Sequence, residues 1–302
     1  MAADRVRVIC GPTAAGKSAI AATLALEYGA AIISADSRQI YRGFDIGTAK
    51  PAPSEQKAIE HVGIDVADPA ERFSASRWAT MAMDWIGAHS SSKTPLVAGG
   101  TGFYIRALFD PLFAAPEIDE GQRMELEHYL NPLSLNELRR WCALIDPSRQ
   151  HLGRRQLVRT IEISILTGRR ISELHAESKN TASLVPVYLL VDPGASLASR
   201  IEARVNQMIE TGWLEEVRSL DASVPAGAPA WKASGYEAMR SVARGELNLS
   251  AARERIIIET RQYAKRQRTW FRHQLGDAHV TSIDPDDPAA QSLAQRWWKE
   301  TS

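Results

Sequence analysis

A chain of 302 residues with 44% hydrophobic and 24% charged content has enough apolar material for a large core, which excludes a small scaffold that needs disulfides or a structural metal to fold. Its 36 basic and 36 acidic residues cancel, which excludes a uniformly basic nucleic-acid coat but leaves room for local basic segments. Cys10 and Cys142 form no C-x-x-C pair, Met1–Arg7 is charged where an export signal would be apolar, and runs such as Val187–Val191 are too short to cross a bilayer. The expectation is a cytoplasmic protein without a membrane span.

In chain order, the apolar run Val6–Cys10 leads into a glycine-rich turn, a helical pattern from about Lys17 to Tyr28, and a second run Ala30–Ser34. This βαβ opening implies a parallel sheet covered by helices. Ser74 is placed to cap the helix before the next buried strand, Pro95–Gly99. From about Ala114 to Ala182 the pattern is helix and loop, and a strand returns only at Val185–Val191. The expected organisation is a discontinuous α/β core, 1–113 and 183–302, carrying an all-helical insertion, 114–182. Helices follow at Leu197–Thr211, Tyr236–Arg244 and about Ser250–Gln274, then an edge strand at Ala278–Ile283.

Two segments are locally basic. Arg149–Arg170 has six arginines against Glu162, and Arg253–Arg272 has seven basic residues against Glu254 and Glu259. Arg261, Lys265, Arg268 and Arg272 recur at steps of four, three and four and so form one stripe on the last long helix. Such runs are often only solvated helix faces. The eight tryptophans read as core and helix-packing residues, and the histidines show no metal-ligand spacing.

Gly11-Pro12-Thr13-Ala14-Ala15-Gly16-Lys17-Ser18 matches the phosphate-loop pattern G-x-x-x-x-G-K-[ST] and lies between a strand and a helix, as that motif requires. Its backbone N–H groups and the helix N-terminus attract phosphate; Lys17 neutralises the outer phosphate and Ser18 is a ligand for Mg²⁺. The nearest strand ends Leu96-Val97-Ala98-Gly99-Gly100-Thr101 without the acid that a nucleotide-hydrolysing site uses to hold its metal, and no N-K-x-D segment is present. Asp36 stands instead at the end of the second strand, on the same sheet edge as the P-loop. An Asp there serves equally well as a turn residue.

These segments together resemble the tRNA dimethylallyltransferase family. Ser34-Ala35-Asp36-Ser37-Arg38-Gln39-Ile40-Tyr41 follows the P-loop, then Asp45-Ile46-Gly47-Thr48-Ala49-Lys50-Pro51, which is the most specific string. Gly99-Gly100-Thr101-Gly102-Phe103-Tyr104, the pair Gly235-Tyr236, and Thr260-Arg261-Gln262 with Lys265-Arg266-Gln267 and Trp270 complete the match. The insertion is more divergent: Arg123 has a counterpart, but in Arg155-Gln156-Leu157-Val158-Arg159 a glutamine replaces an arginine; in the core, three residues before Gly235-Tyr236, Lys232 stands where arginine is common.

The resemblance implies a P-loop NTPase-like core with an inserted tRNA-binding domain. The enzyme would be a monomer that moves the dimethylallyl group of dimethylallyl diphosphate onto the exocyclic amine of the adenosine 3′ of the anticodon, with Mg²⁺. Residues 11–18 and Lys232 would hold diphosphate. Asp36 would be the general base and Thr101 its orienting partner. Asp36, Ser37, Arg38, Gln39, Thr101, Arg123, Arg155, Gln156, Arg159, Arg261 and Lys265 would contact the tRNA anticodon stem-loop, with Arg154, Arg268 and Arg272 extending the basic surface. A P-loop kinase acting on a small molecule or nucleotide, an RNA-binding ATPase and a prenyltransferase of free nucleotides are the alternatives.

Overall fold

The computed structural model describes residues 4–89, 93–110, 118–177, 184–275 and 279–301. Among them six strands form one parallel sheet: β1 (Asp4–Cys10), β2 (Ala30–Ser34), β3 (His61–Val62), β4 (Thr94–Gly99), β5 (Leu184–Val191) and β6 (His279–Ile283). Their order is β3-β2-β4-β1-β5-β6. Val8 lies opposite both Val97 and Tyr188, so the carboxyl ends of β4, β1 and β5 emerge side by side.

The strands read as unbroken apolar runs because both faces are covered. The connection from β1 to β2 crosses the sheet in one direction and that from β2 to β4 returns. Right-handed crossovers then put the helices Lys17–Tyr28 and Ala75–His89 on opposite faces. On one face Ile9, Ile32, Leu96 and Leu189 pack with Ala21 and Leu24 of the first helix and with Trp297 and Trp298 of the helix Ala290–Glu300. The alternating residues Val8, Ile33 and Val97 are buried toward the other face. Trp78 is enclosed there, stacks on Tyr104 at 5.1 Å between ring centroids, and donates its indole N–H to the Ser34 carbonyl at 3.0 Å.

Ser74 caps the Ala75–His89 helix, its Oγ accepting the Arg77 N–H at 3.1 Å. β6 is an edge strand paired to β5, Val187 opposite His279; the expected first residue, Ala278, lies outside the described residues. Helices Leu197–Glu210, Trp213–Asp221, Tyr236–Ala243 and Leu249–Gln274 follow β5.

Chain contacts divide the protein into two compact units, 1–109 with 183–302, and 110–182. Among its described residues the second unit is helical: Glu120–Leu130, Leu135–Ile145, Arg154–Thr167 and Ile171–Glu177. Leu130, Leu138, Cys142, Leu157 and Ile161 form its core. A capping box starts the Leu135–Ile145 helix: Ser134 Oγ accepts the Glu137 N–H at 3.3 Å, and Glu137 accepts the Ser134 N–H at 2.7 Å. No helix among the described residues is long and apolar enough to cross a membrane.

Candidate active site

The loop 11–18 joins β1 to the Lys17–Tyr28 helix at the point where the connections leave β1 and β4 toward opposite faces, the crevice where open α/β sheets bind ligands. Gly11 has φ +144°, and a Cβ there would strike the Val191 carbonyl. Ala14 holds a left-handed φ of 62°, at a cost of about 1 kcal/mol for a residue with a Cβ, so the curl of the loop is imposed by its surroundings. Lys17 Nζ donates to the Pro12 carbonyl at 2.6 Å. Burial, and after it the Arg204 guanidinium, lower the Lys17 ammonium to about 8, with Asp36 pulling the other way.

Lys17, Ser18, Asp36 and Arg204 line one cavity of about 160 Å³ with Tyr263 and Gln267. An adjoining cavity of about 910 Å³ shares Lys17, Ser18, Lys50 and Arg204 with it and extends along Arg200, Gln207 and Met208. Asp36 therefore faces the phosphate cradle and also serves the turn, since its Oδ1 accepts the Arg38 N–H at 2.8 Å. Thr101 Oγ1 accepts the Ser37 N–H at 3.0 Å and donates to Ser37 Oγ at 3.3 Å, which fixes the loop carrying Asp36 against the end of β4. Gln39 uses its amide within that loop: it donates to the Thr48 and Ala49 carbonyls at 3.2 and 2.9 Å and accepts from Ser34 Oγ at 2.9 Å.

The string 45–51 is held by its own clamps. Lys50, its side chain 3% exposed, donates to Asp45 and Asp65 at 2.6 and 2.5 Å and to the Tyr41 carbonyl at 2.6 Å. Glu216 accepts the Asp45 and Ile46 N–H groups at 3.0 and 2.6 Å and the Tyr236 hydroxyl at 2.6 Å. Gly47 lies so close under Trp213 that a Cβ would collide with the indole.

Arg204, Tyr263 and Gln267 line the cavity although the sequence does not mark them as site residues; Gln267 stands there only within the Lys265-Arg266-Gln267 string. Arg204 was overlooked although Arg200 and Arg204 stand four apart on the helix after β5, the one signal available. Burial works against the Arg204 charge and Asp36 offsets it. Tyr263 and Gln267 lie four apart on the Leu249–Gln274 helix. Burial first and the Asp36 carboxylate second push the Tyr263 phenol up to about 12 and keep it neutral, with Arg38 and Thr101 opposing. Asp192, directly after β5, lines neither cavity: its Oδ1 accepts the Gly194 N–H at 3.0 Å and pairs with Arg268.

The basic stripe is correspondingly altered. Arg268 also donates to the Gly194 carbonyl at 2.6 Å, so it secures the loop after β5. Arg154 likewise donates to the carbonyls of Leu130, Asn131 and Leu133, at 3.3, 2.6 and 2.5 Å, and closes the end of the Glu120–Leu130 helix. Arg261, exposed, is 3.8 Å from Glu202; Lys265 and Arg272 are exposed. Lys232 is exposed and lines neither cavity. In the helical unit Arg123 and Arg159 approach the buried Glu162 carboxylate at 3.5 and 3.2 Å, while Arg155 and Gln156 are exposed. Trp78, Trp213, Trp231, Trp297 and Trp298 are core residues as expected, but Trp141 is 41% exposed.

The family model for IPP transferase matches residues 39–274. A tRNA dimethylallyltransferase of Deinococcus radiodurans is 36% identical, covering 98% of each chain, and one of Anaeromyxobacter is 39% identical over 95% of this chain and 98% of the relative. Among solved structures, a full-length tRNA isopentenylpyrophosphate transferase of Bacillus halodurans superposes with a TM-score of 0.69 and 31% identity, covering 99% of this chain and 96% of the other. A eukaryotic dimethylallyltransferase captured acting on tRNA gives a TM-score of 0.80 at 26% identity, covering 97% of this chain and 77% of that one. With the P-loop at the sheet's crevice, Asp36 facing it, and both the family model and near full-length relatives in agreement, this chain belongs to the IPP transferase family.

Proposed function

We propose that the protein transfers the dimethylallyl group from dimethylallyl diphosphate to the exocyclic amine of the adenosine 3′ of the anticodon in tRNA. The observation that carries this reading is the shared cavity of Lys17, Arg204 and Asp36, a cationic phosphate cradle with a carboxylate beside it. β4 ends in Gly99-Gly100-Thr101, so that neighbour of β1 offers no acid to hold a hydrolytic metal, and Asp192, after the other neighbour β5, is engaged by the Gly194 N–H and Arg268. The relatives' activity supports the same conclusion.

In this reaction the allylic carbon–oxygen bond breaks as the carbon–nitrogen bond forms. Negative charge grows on the departing diphosphate, where Lys17, Arg204 and the P-loop N–H groups stabilise it. The adenine amine is a poor nucleophile because its lone pair is delocalised, and it must lose a proton as it attacks. Asp36 takes that proton, and Thr101 keeps the Asp36 loop in place. Ser18 lines both cavities, and one hydroxyl beside a phosphate-binding loop suits Mg²⁺, which favours few protein ligands plus phosphate oxygens; when bound it would add further neutralisation of the leaving group.

The helical unit would supply RNA contacts through Arg123, Arg155, Gln156 and Arg159, and the core through residues 36–39, Thr101, Arg261 and Lys265. The target base must leave the loop stack to react. Free, buried Cys10 and Cys142 suit the cytoplasm, and we expect a monomer.

Competition binding with tRNA present tests the assignment of the P-loop. Dimethylallyl diphosphate is expected to displace ATP, and ATP hydrolysis to stay at background; steady ATP turnover with a phosphorylated product would establish a kinase instead.

A further inference from the structure

We propose that Gln267 is a positioning residue that sets the distance between the diphosphate cradle and the base, an inference that rests on the transfer reading above. Gln267 is polar yet only 7% exposed. Its Oε1 accepts the Thr13 N–H at 2.8 Å, and its Nε2 donates to the Gly100 carbonyl at 2.7 Å. Each of those groups belongs to a peptide unit with a second bond. The carbonyl of the Pro12–Thr13 unit accepts Lys17 Nζ at 2.6 Å, and the N–H of the Gly100–Thr101 unit donates to the Ala35 carbonyl at 3.1 Å, which lies in the peptide bond to Asp36.

The result is an unbroken chain from Lys17 through Pro12–Thr13, Gln267 and Gly100–Thr101 to Ala35–Asp36. Every donor in it points the same way, so the bonds polarise one another. Gln267 is its one side-chain amide, and the chemistry of the link is demanding. A side chain of this length must accept at one end and donate at the other; an ionised Glu only accepts, Lys and Arg only donate, and Leu does neither. Without the link, the loops after β1 and β4 lose their direct tie, and a displacement of about 1 Å between reacting groups is enough to cost roughly 10²-fold in rate.

Gln267→Leu is therefore expected to lower kcat for prenyl transfer by roughly 10- to 100-fold, with KM for dimethylallyl diphosphate and for tRNA within about threefold of wild type. Gln267→Glu adds a readout that a general loss of stability does not imitate. Its ionised carboxylate cannot donate to the Gly100 carbonyl, whereas the protonated acid can, and burial favours the acid. Lys17, Asp36, Lys50, Glu55, His61, Arg204 and Tyr263 line the same cavity in both proteins, so their influence divides out and the quantity measured is the ratio of Gln267→Glu to wild-type kcat at each pH. That ratio should rise at least about tenfold between pH 8.5 and pH 6. A pH-independent ratio, or a Gln267→Leu enzyme within about twofold of wild-type kcat, would overturn the proposal. A wild-type protein inactive in the same assay would overturn the transfer reading itself.

Discussion

The Asp36 carboxylate engages the Arg38 N–H through Oδ1, which leaves Oδ2 for a substrate proton. An Asn at this position still accepts the Arg38 N–H, so the loop should keep its shape while losing its base. Asp36→Asn is expected to lower turnover by roughly 10²-fold or more with tRNA affinity unchanged; near-normal turnover would remove Asp36 from the mechanism. Lys17 gives a pH prediction. Its ammonium is lowered to about 8, so it loses charge as pH rises through that value, and a diphosphate binds the charged form. The kcat/KM for dimethylallyl diphosphate should therefore be flat below about pH 8 and fall above it, and Lys17→Arg should remove the alkaline fall. Both residues were legible in the sequence because motif spacing and strand ends announce them. Arg204 was not, because it reaches the cavity from a helix far along the chain, where an arginine on a helix face has the same local pattern as a solvated one; Gln267 was legible as part of the Lys265-Arg266-Gln267 string but not as a cavity residue.

At the scale of elements, the string 45–51 was legible as a specific motif, but its residues act chiefly on the loop itself. Lys50 neutralises two carboxylates, and Gly47 admits the Trp213 ring. Gly47→Ala should destabilise the protein by about 1–3 kcal/mol, as overpacking does, measured by denaturant unfolding; an unchanged midpoint would refute the close packing. The helix Arg154–Thr167 separates two arginines that look alike in sequence. Arg154 holds three carbonyls, so Arg154→Ala should lose about 1–2 kcal/mol of stability. Exposed Arg155→Ala should stay within about ±0.5 kcal/mol but flatten the salt dependence of tRNA binding by roughly 0.7 in the log–log slope. Equal stability losses, or an unchanged slope for Arg155→Ala, would return this segment to a solvated face. Sequence pattern could not separate them because the carbonyls that Arg154 caps belong to another helix. β3 was also invisible, since two residues paired on an edge leave no periodic signal.

For the whole molecule, buried parallel strands and helical periodicity were enough to read an α/β sheet, because a sheet covered on both faces must be apolar along its length. The sequence did not reveal that the last long helix ties two strand-end loops together, since that depends on tertiary contact between residues more than 160 positions apart. The central claim is that the P-loop holds a prenyl diphosphate as leaving group and Asp36 accepts the proton of an adenine amine. Incubation with labelled dimethylallyl diphosphate, Mg²⁺ and unmodified tRNA, followed by digestion and nucleoside analysis, tests it most directly. The account predicts label in a single N⁶-prenylated adenosine from the position 3′ of the anticodon, lost in Asp36→Asn. Absence of labelled nucleoside from wild-type reactions, or label transferred at full rate by Asp36→Asn, would contradict it.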